Sequence, residues 1–403
     1  VSSAASKVYK RQAVEKEVKN IVRRAKKAFE KKIAKNVKKN PKEFYAYLKL
    51  RTSNRESVGP LKENGSTVHD TEQMANILNT FFTSVFTKED LTNIPQPKQM
   101  YNGDTPLTSV LFPHDSIKSK ITKMKSSSAP GNDDISPHLL KSIEDIICAP
   151  LSIIFTQSLN EGVVPDDWRR ANVTPVFKKV SKSNAGNYRP ISLTSIICKI
   201  MESIIRDSII HHLATNKLVR PSQHGFMAHK SCLTNLLEYL ETLTKLVDQV
   251  YSVDIVYLDF AKAFDKVPHR RLLNVLSEHG IEGKVLVWIS AWLTNRMQRV
   301  VLNGFESEWS NVLSGVPQGS VLGPTLFVIS INNIDEALEI ATSIISKFAD
   351  DTKVGRIIKS EADRNALQRD INNLLRWADL WHAEFTDTKC KVMHFGRNNP
   401  QYE

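Results

Sequence analysis

The sequence predicts an α+β fold, and three stretches carry that prediction. Ile344 and Ile345 lead into Ser346-Lys347-Phe348-Ala349-Asp350-Asp351-Thr352-Lys353, and Val354, Ile357 and Ile358 follow. Two β-prone runs with a polar tip between them form a hairpin. Asp254-Ile255-Val256-Tyr257-Leu258 is a buried-type strand that ends on an acid, Asp259, and leads through Phe260-Ala261-Lys262-Ala263-Phe264-Asp265 into a turn and helix. Ser314-Gly315-Val316-Pro317-Gln318-Gly319-Ser320 is a Gly-rich loop that opens an apolar helix from about Val321 to Ile334. Pro324 is tolerated in the first turn of that helix.

The hairpin tip holds two adjacent carboxylates. Like charges repel, and burying them is costly unless a cation sits between them. By itself an Asp-Asp pair reads as a surface turn. The ordered set of strand-end acid, Gly-rich loop and acidic hairpin is what separates this chain from that simpler reading.

Composition narrows the partners. The chain has 403 residues, 41% of them hydrophobic, enough for one large or two ordinary domains. Its net charge of +12 points to an anionic partner. Residues 1–60 hold 18 Lys or Arg against 5 Asp or Glu, so the basic character belongs to an N-terminal arm and the rest is near neutral. Cys148, Cys198, Cys232 and Cys390 form no Cys-x-x-Cys pair and read as free thiols in a reducing compartment. No apolar run reaches membrane-spanning length and no signal peptide is visible. A start at Val1 rather than Met suggests a fragment.

In order, residues 1–60 read as a basic helical arm. A long helix over 10–40 has an apolar stripe (Val14, Val18, Ile21, Val22, Ala25, Phe29, Ile33) opposite Arg23, Arg24, Lys26, Lys27, Lys31 and Lys32. Those cations either clamp nucleic-acid phosphates or form a solvated helix face. Asn40-Pro41 ends the helix, and a short aromatic helix at Phe44, Tyr45, Tyr47 and Leu48 follows. Residues 61–114 hold a helix opened by an Asp70/Gln73 capping box (Met74, Leu78, Phe81, Phe82, Val85) and a linker over 87–113. A compact unit begins at Asp115, read as an N-cap. It continues with an extended loop at 126–133 and a helical region through Leu139, Ile147, Leu151 and Phe155 that Pro150 is expected to break.

A strand through Ala171–Phe177 ends on Lys178 and Lys179, and Asn187-Tyr188-Arg189-Pro190 follows a polar loop. Such a basic hairpin can fold over a triphosphate, with Lys as point charge and Arg as bidentate fork. Either lysine also reads as an ordinary solvated edge residue. Helices are expected from Leu193 to Leu213, after Ser231, after Pro268 and from Ala362 to His382. Trp288 and Trp292 read as core. Val300-Val301-Leu302 and Val312-Leu313 should bracket an Asn303-Gly304 turn, and Lys389–Phe395 is a last strand.

From Asp115 onward the chain resembles the reverse transcriptases of non-LTR retrotransposons of the jockey or chicken-repeat type. The carrying stretches are Ala129-Pro130-Gly131, Asn187 through Leu193, Gln223-His224-Gly225-Phe226, Leu258 through Asp265, Ser314 through Gly323, and Phe348-Ala349-Asp350-Asp351. The resemblance implies a right-hand polymerase, with fingers and their connection over 115–250 and palm over 251–403. It implies copying of an RNA template into DNA from a DNA primer, a nicked chromosomal end, with deoxynucleotides as substrate, no membrane partner and nuclear location. Asp259, Asp350 and Asp351 become the catalytic acids, holding two Mg²⁺ ions, or Mn²⁺ in their stead. Arg189 with Lys178 or Lys179 holds the triphosphate. Gln318 touches the nucleotide, and Gly315 and Gly319 let the backbone come close. Phe264 is either a gate against the ribose 2′-hydroxyl or a core aromatic. Lys389 is either a proton donor to pyrophosphate or a solvated lysine. Asp265 reads as capping a turn or helix. Asn332-Asn333 and Asp387 stand where the family often has Asn-Asp and Asn. The resemblance further implies an upstream endonuclease and a thumb, neither of which lies in this sequence. Two alternatives remain at this point: a catalytically silent nucleic-acid-binding remnant, and an RNA-copying RNA polymerase, against which Phe264 argues.

Overall fold

A computed structural model of the chain describes residues 2–37, 47, 58–339 and 343–401. Two compact units emerge, Val1–Ser57 and Val58–Glu403. In the first, α1 (Ser2–Asn36) runs without a Gly or Pro to interrupt it. Among its described side chains, Val18, Ile21, Val22 and Phe29 are exposed and Ile33 is deeply buried. Phe29 meets Tyr47 edge-on at 5.9 Å. The aromatic helix expected at Phe44–Leu48 lies, apart from Tyr47, outside the described residues.

The second unit opens with a hairpin of β1 (Leu61–Glu63) and β2 (Ser66–Val68). Asn64 and Gly65 both have positive φ, as a two-residue primed turn requires. Helix α2 (Thr71–Ser84) starts where expected: the Asp70 carboxylate accepts from the Gln73 N–H at 2.9 Å. Met74, Ala75, Leu78 and Phe82 of α2 pack with Val58, Leu61, Val173, Tyr188, Val300 and Leu302.

The segment over 87–113, expected to be a linker, is instead fixed to the body. Arg271, 2% exposed, donates from its guanidinium to the Glu89 carboxylate and to the carbonyls of Asp90 and Asn93. Tyr101, Val110 and Phe112 belong to the main hydrophobic core. Polar composition resembles a linker because the partners that anchor it lie far along the chain.

Next come α3 (His114–Lys123), α4 (Pro137–Ser142), α5 (Glu144–Glu161) and the short α6 (Asp166–Arg169). Pro113, not Asp115, occupies the N-cap of α3. The break expected at Pro150 falls at Ile143, and Pro150 sits inside α5. Proline suits helical φ but donates nothing to the carbonyl four residues back. That residue, Ile146, is 76% exposed, so water can satisfy its carbonyl.

Strand β3 (Arg170–Phe177) pairs antiparallel with β4 (Tyr188–Leu193), and α7 (Ile196–Thr215) follows. Leu193 pairs with Asn172, so the helix cannot begin there. After α8 (Cys232–Asp248) come β5 (Val253–Leu258), the short α9 (Ala263–Lys266), α10 (His269–Glu278) and α11 (Gly283–Leu293). Strand β6 (Arg296–Leu302) pairs parallel with β3. At Asn303-Gly304 it turns into β7 (Phe305–Glu306), not Val312-Leu313, and β8 (Ser310–Val312) pairs with the other end of β6.

Helix α12 (Gly323–Ser330) is shorter than expected and passes into a 3₁₀ turn over Asn332–Ala337. The acidic hairpin is β9 (Ser343–Phe348) and β10 (Asp351–Ile357), followed by α13 (Glu361–Trp381) and β11 (Lys391–Phe395). One sheet therefore runs β11-β5-β10-β9, all antiparallel, and the other runs β4-β3-β6 with β7 and β8 on β6. Trp288 and Trp292 are fully buried in the main core. Among the described residues, no helix is long and apolar enough to cross a membrane.

Candidate active site

The four-stranded sheet brings two of the three predicted acids to one edge. Asp259 follows Leu258, the last residue of β5. Thr352 pairs with Leu258, so the hairpin tip falls beside Asp259. Ala349 and Asp350 are that tip, because Phe348 pairs directly with Asp351. Both Asp259 and Asp350 line a cleft with about 1340 Å³ of empty space counted to its open mouth. Asp351 is exposed and off the cleft wall.

The opposite wall is cationic. Lys178, Lys179 and Arg189 reach the cleft from the loop and strand start of the β3–β4 hairpin, and Lys389 from just before β11. The Lys389 ammonium is ion-paired with the Asp259 carboxylate. Partial burial, then the neighbouring charges of Arg189, Lys389 and Lys179, hold Lys178 below the usual lysine range, with Asp259 opposing. Lys262 also lines the cleft and is lowered by burial, with Asp265 opposing and Lys178 and Lys389 adding to the shift. Its ammonium sits 5.0 Å from the Phe81 ring centroid, so α2 reaches the site. Sequence reasoning assigned Lys262 no role; its only signal was its position between Asp259 and Phe264. Clustered cations that repel one another define a polyanion site.

Asp350 shows the converse strain. Burial, then the charges of Asp351 and Asp259, raise its carboxyl above the usual range, partly offset by a backbone hydrogen bond. Among the described residues, no three Asp, Glu, His or Cys side chains converge closely enough to hold a metal by themselves. Asp259 and Asp350 nevertheless offer only carboxylate oxygens to one volume, and of the two only Asp259 is ion-paired, with Lys389. That set fits a hard divalent ion that keeps positions for water and phosphate oxygens.

Between the two walls stand Phe264 and Gln318. The Phe264 ring stacks on Phe327 at 4.5 Å and meets Phe226 edge-on at 6.0 Å. One face of Phe264 packs as the core reading expects, and the residue also lines the cleft. The Gln318 amide donates to Asp265 Oδ1 at 3.0 Å. Asp265 thus holds Gln318 rather than capping a helix, and burial pushes its carboxyl up to about 6 against the lowering effects of that hydrogen bond and Lys262.

The glycines of this loop serve protein contacts. A Cβ on Gly319 would fall 2.6 Å from the Ser192 carbonyl oxygen, and one on Gly315 2.6 Å from that of Phe264. The Ser192 N–H donates to the Gln318 carbonyl at 2.7 Å, so the loop docks on β4. Gly319 is not on the cleft wall. Arg23, Arg24, Lys26, Lys27, Lys31 and Lys32 are exposed on α1, in the other unit. A second cavity of about 470 Å³ behind Phe260 is walled mainly by apolar side chains, including Leu272, Phe327 and Trp377, and its cations Lys266 and Arg271 are already paired with Glu384 and Glu89.

A cleft that sets strand-end acids against clustered cations is equipped for polyphosphate chemistry. The model of the reverse transcriptase (RNA-dependent DNA polymerase) family matches residues 178–402, and the chain belongs to that family. It is 27% identical over 344 residues to the RNA-directed DNA polymerase from mobile element jockey of Drosophila melanogaster, covering 82% of this chain and 37% of that protein. The jockey polymerase of Drosophila funebris is 26% identical, covering 69% and 31%. A probable RNA-directed DNA polymerase from transposon X-element of Drosophila melanogaster is 25% identical, covering 74% and 33%. The chain spans about a third of the length of these curated relatives.

Proposed function

We propose that this chain carries the catalytic centre of an RNA-directed DNA polymerase of a non-LTR retrotransposon. The observation that supports it most is the single cleft in which Asp259 and Asp350 face Lys178, Lys179 and Arg189. In this reading the four-stranded sheet is the palm and the β3–β4 hairpin belongs to the fingers. Strands β6 to β8, inside the 251–403 stretch first given to the palm, share a sheet with β3 and go with the fingers, as does α2, first set before the polymerase. An RNA template, a DNA primer and deoxynucleoside triphosphates are the partners, and priming from chromosomal DNA puts the work in the nucleus.

The reaction joins the primer 3′-oxygen to the α-phosphorus of the nucleotide, gives the 3′-hydroxyl proton to water, breaks the bond from that phosphorus to the bridging oxygen of the β-phosphate and releases pyrophosphate. Arg189, Lys178 and Lys179 bind the triphosphate oxygens. Lys389, ion-paired with Asp259, lies within the same cleft as those cations and donates a proton to the departing pyrophosphate. Phe264, braced by Phe327, crowds the ribose 2′ position, and Gln318 contacts the nucleotide from an orientation set by Asp265. Asp259 and Asp350, with Asp351 beside them, would hold two Mg²⁺ ions, or Mn²⁺, whose charge stabilises the attacking and leaving oxygens.

Extension of a DNA primer annealed to a poly-A template, in Mg²⁺, tests the reading. The wild-type chain should extend the primer and Asp350→Ala should lose at least about 10³-fold in rate. Phe264→Ala should gain ribonucleotide use in the same assay. Extension that survives Asp350→Ala overturns the site assignment. Salt-sensitive hybrid binding without extension by the wild type would leave a nucleic-acid-binding role for the chain alone.

A further inference from the structure

The turn over 220–226, between α7 and α8, holds the hairpin tip that carries Asp350. Gln223 is 1% exposed. Its side-chain oxygen accepts from the Ala349 N–H at 2.9 Å and from the Gly225 N–H at 2.7 Å. Its amide nitrogen donates to the Ala349 carbonyl at 3.4 Å. One side chain thus grips both ends of a single residue 126 positions away. The backbone reinforces the grip: the Lys347 N–H donates to the Ser222 carbonyl at 2.8 Å, and the His224 N–H to the Lys347 carbonyl at 2.9 Å. A Cβ on Gly225 would fall 2.2 Å from the Ala349 nitrogen, so only glycine permits this approach.

Ala349 needs such support. Its φ is +54°, a left-handed conformation that a residue with a Cβ adopts at a cost. The next residue is Asp350, whose direction follows from the backbone of Ala349. We infer that Gln223 is a positioning residue that holds Ala349 in this conformation and thereby aims the Asp350 carboxylate into the cleft. The inference rests on the polymerase reading for its consequence in catalysis, but not for the clasp itself.

Two variants of different size, Gln223→Ala and Gln223→Met, allow for a folding failure in one. Each should lower kcat for single-nucleotide extension by at least about tenfold, in line with the sensitivity of such chemistry to small misplacements, while the KM for nucleotide stays within about threefold. Glycine takes positive φ freely, so adding Ala349→Gly should restore several-fold of the lost kcat. Losses from Gln223→Met and Ala349→Gly that simply multiply would overturn the inference, as would an unchanged kcat. Hydrogen exchange of the tip amides supplies the separate arm. Faster exchange at residues 349–350 in Gln223→Met, with β9 and β10 still protected, supports the clasp, and unchanged exchange overturns it. A wild-type chain that extends no primer would fail the polymerase reading and leave the clasp to be decided by exchange.

Discussion

Asp265 is a carboxyl that its surroundings keep reluctant to ionise. Its proton affinity is raised to about 6 from an ordinary 3.8, mainly by burial. A raised carboxyl stabilises the fold most below the unfolded value and loses that contribution as pH climbs through the folded one. Asp265→Asn removes the charge and keeps an oxygen for the Gln318 amide. The variant should therefore gain up to ~3 kcal/mol relative to wild type at pH 7.5, and close to nothing at pH 4. Urea unfolding at the two pH values checks this, and an equal difference at both would contradict it. Asp259 and Asp350 were readable because each ends a strand or tips a hairpin within a few residues of chain. The role of Asp265 was not, because its partner Gln318 is 53 residues away and an isolated Asp near a helix start resembles a cap.

At the scale of an element, α2 shows the same division. The spacing of Met74, Leu78 and Phe82 behind Asp70 announces the helix. Nothing local says that its apolar face belongs on Val173, Val300 and Leu302. The helix lies outside the residues matched by the family model, yet it packs against the sheet from which the cleft cations project. Phe82→Ala should therefore destabilise the Val58–Glu403 unit by about 3–5 kcal/mol, the cost of emptying a buried aromatic site. A change under about 0.5 kcal/mol in chemical unfolding would mean that the helix is dispensable. The mistaken linker over 87–113 has the same physical origin. Glu89 reads as a surface acid until Arg271 arrives from 182 residues later.

The chain keeps its excess charge in one unit and its candidate site in the other. That imbalance was visible in the count of lysines and arginines, whereas the sheet order was not, since β3 and β6 are parallel neighbours with more than a hundred residues between them. If the six basic residues of α1 each meet a phosphate, replacing all of them with Ser should lower the slope of log affinity against log salt on duplex DNA by about 5. An unchanged slope would make them solvated surface. The wide sequence separations also shape how the chain folds. The Asn79 side chain waits for Gln298, 219 residues downstream, before it receives its hydrogen bond. At roughly 5–20 residues per second, α2 emerges from the ribosome roughly ten to forty seconds before β6, the last strand to contribute to its apolar cluster. Over that interval Met74, Leu78 and Phe82 can meet Val58 and Leu61, and later Val173 and Tyr188, but still lack Val300 and Leu302, so the nascent chain carries a half-covered apolar face that the finished protein does not.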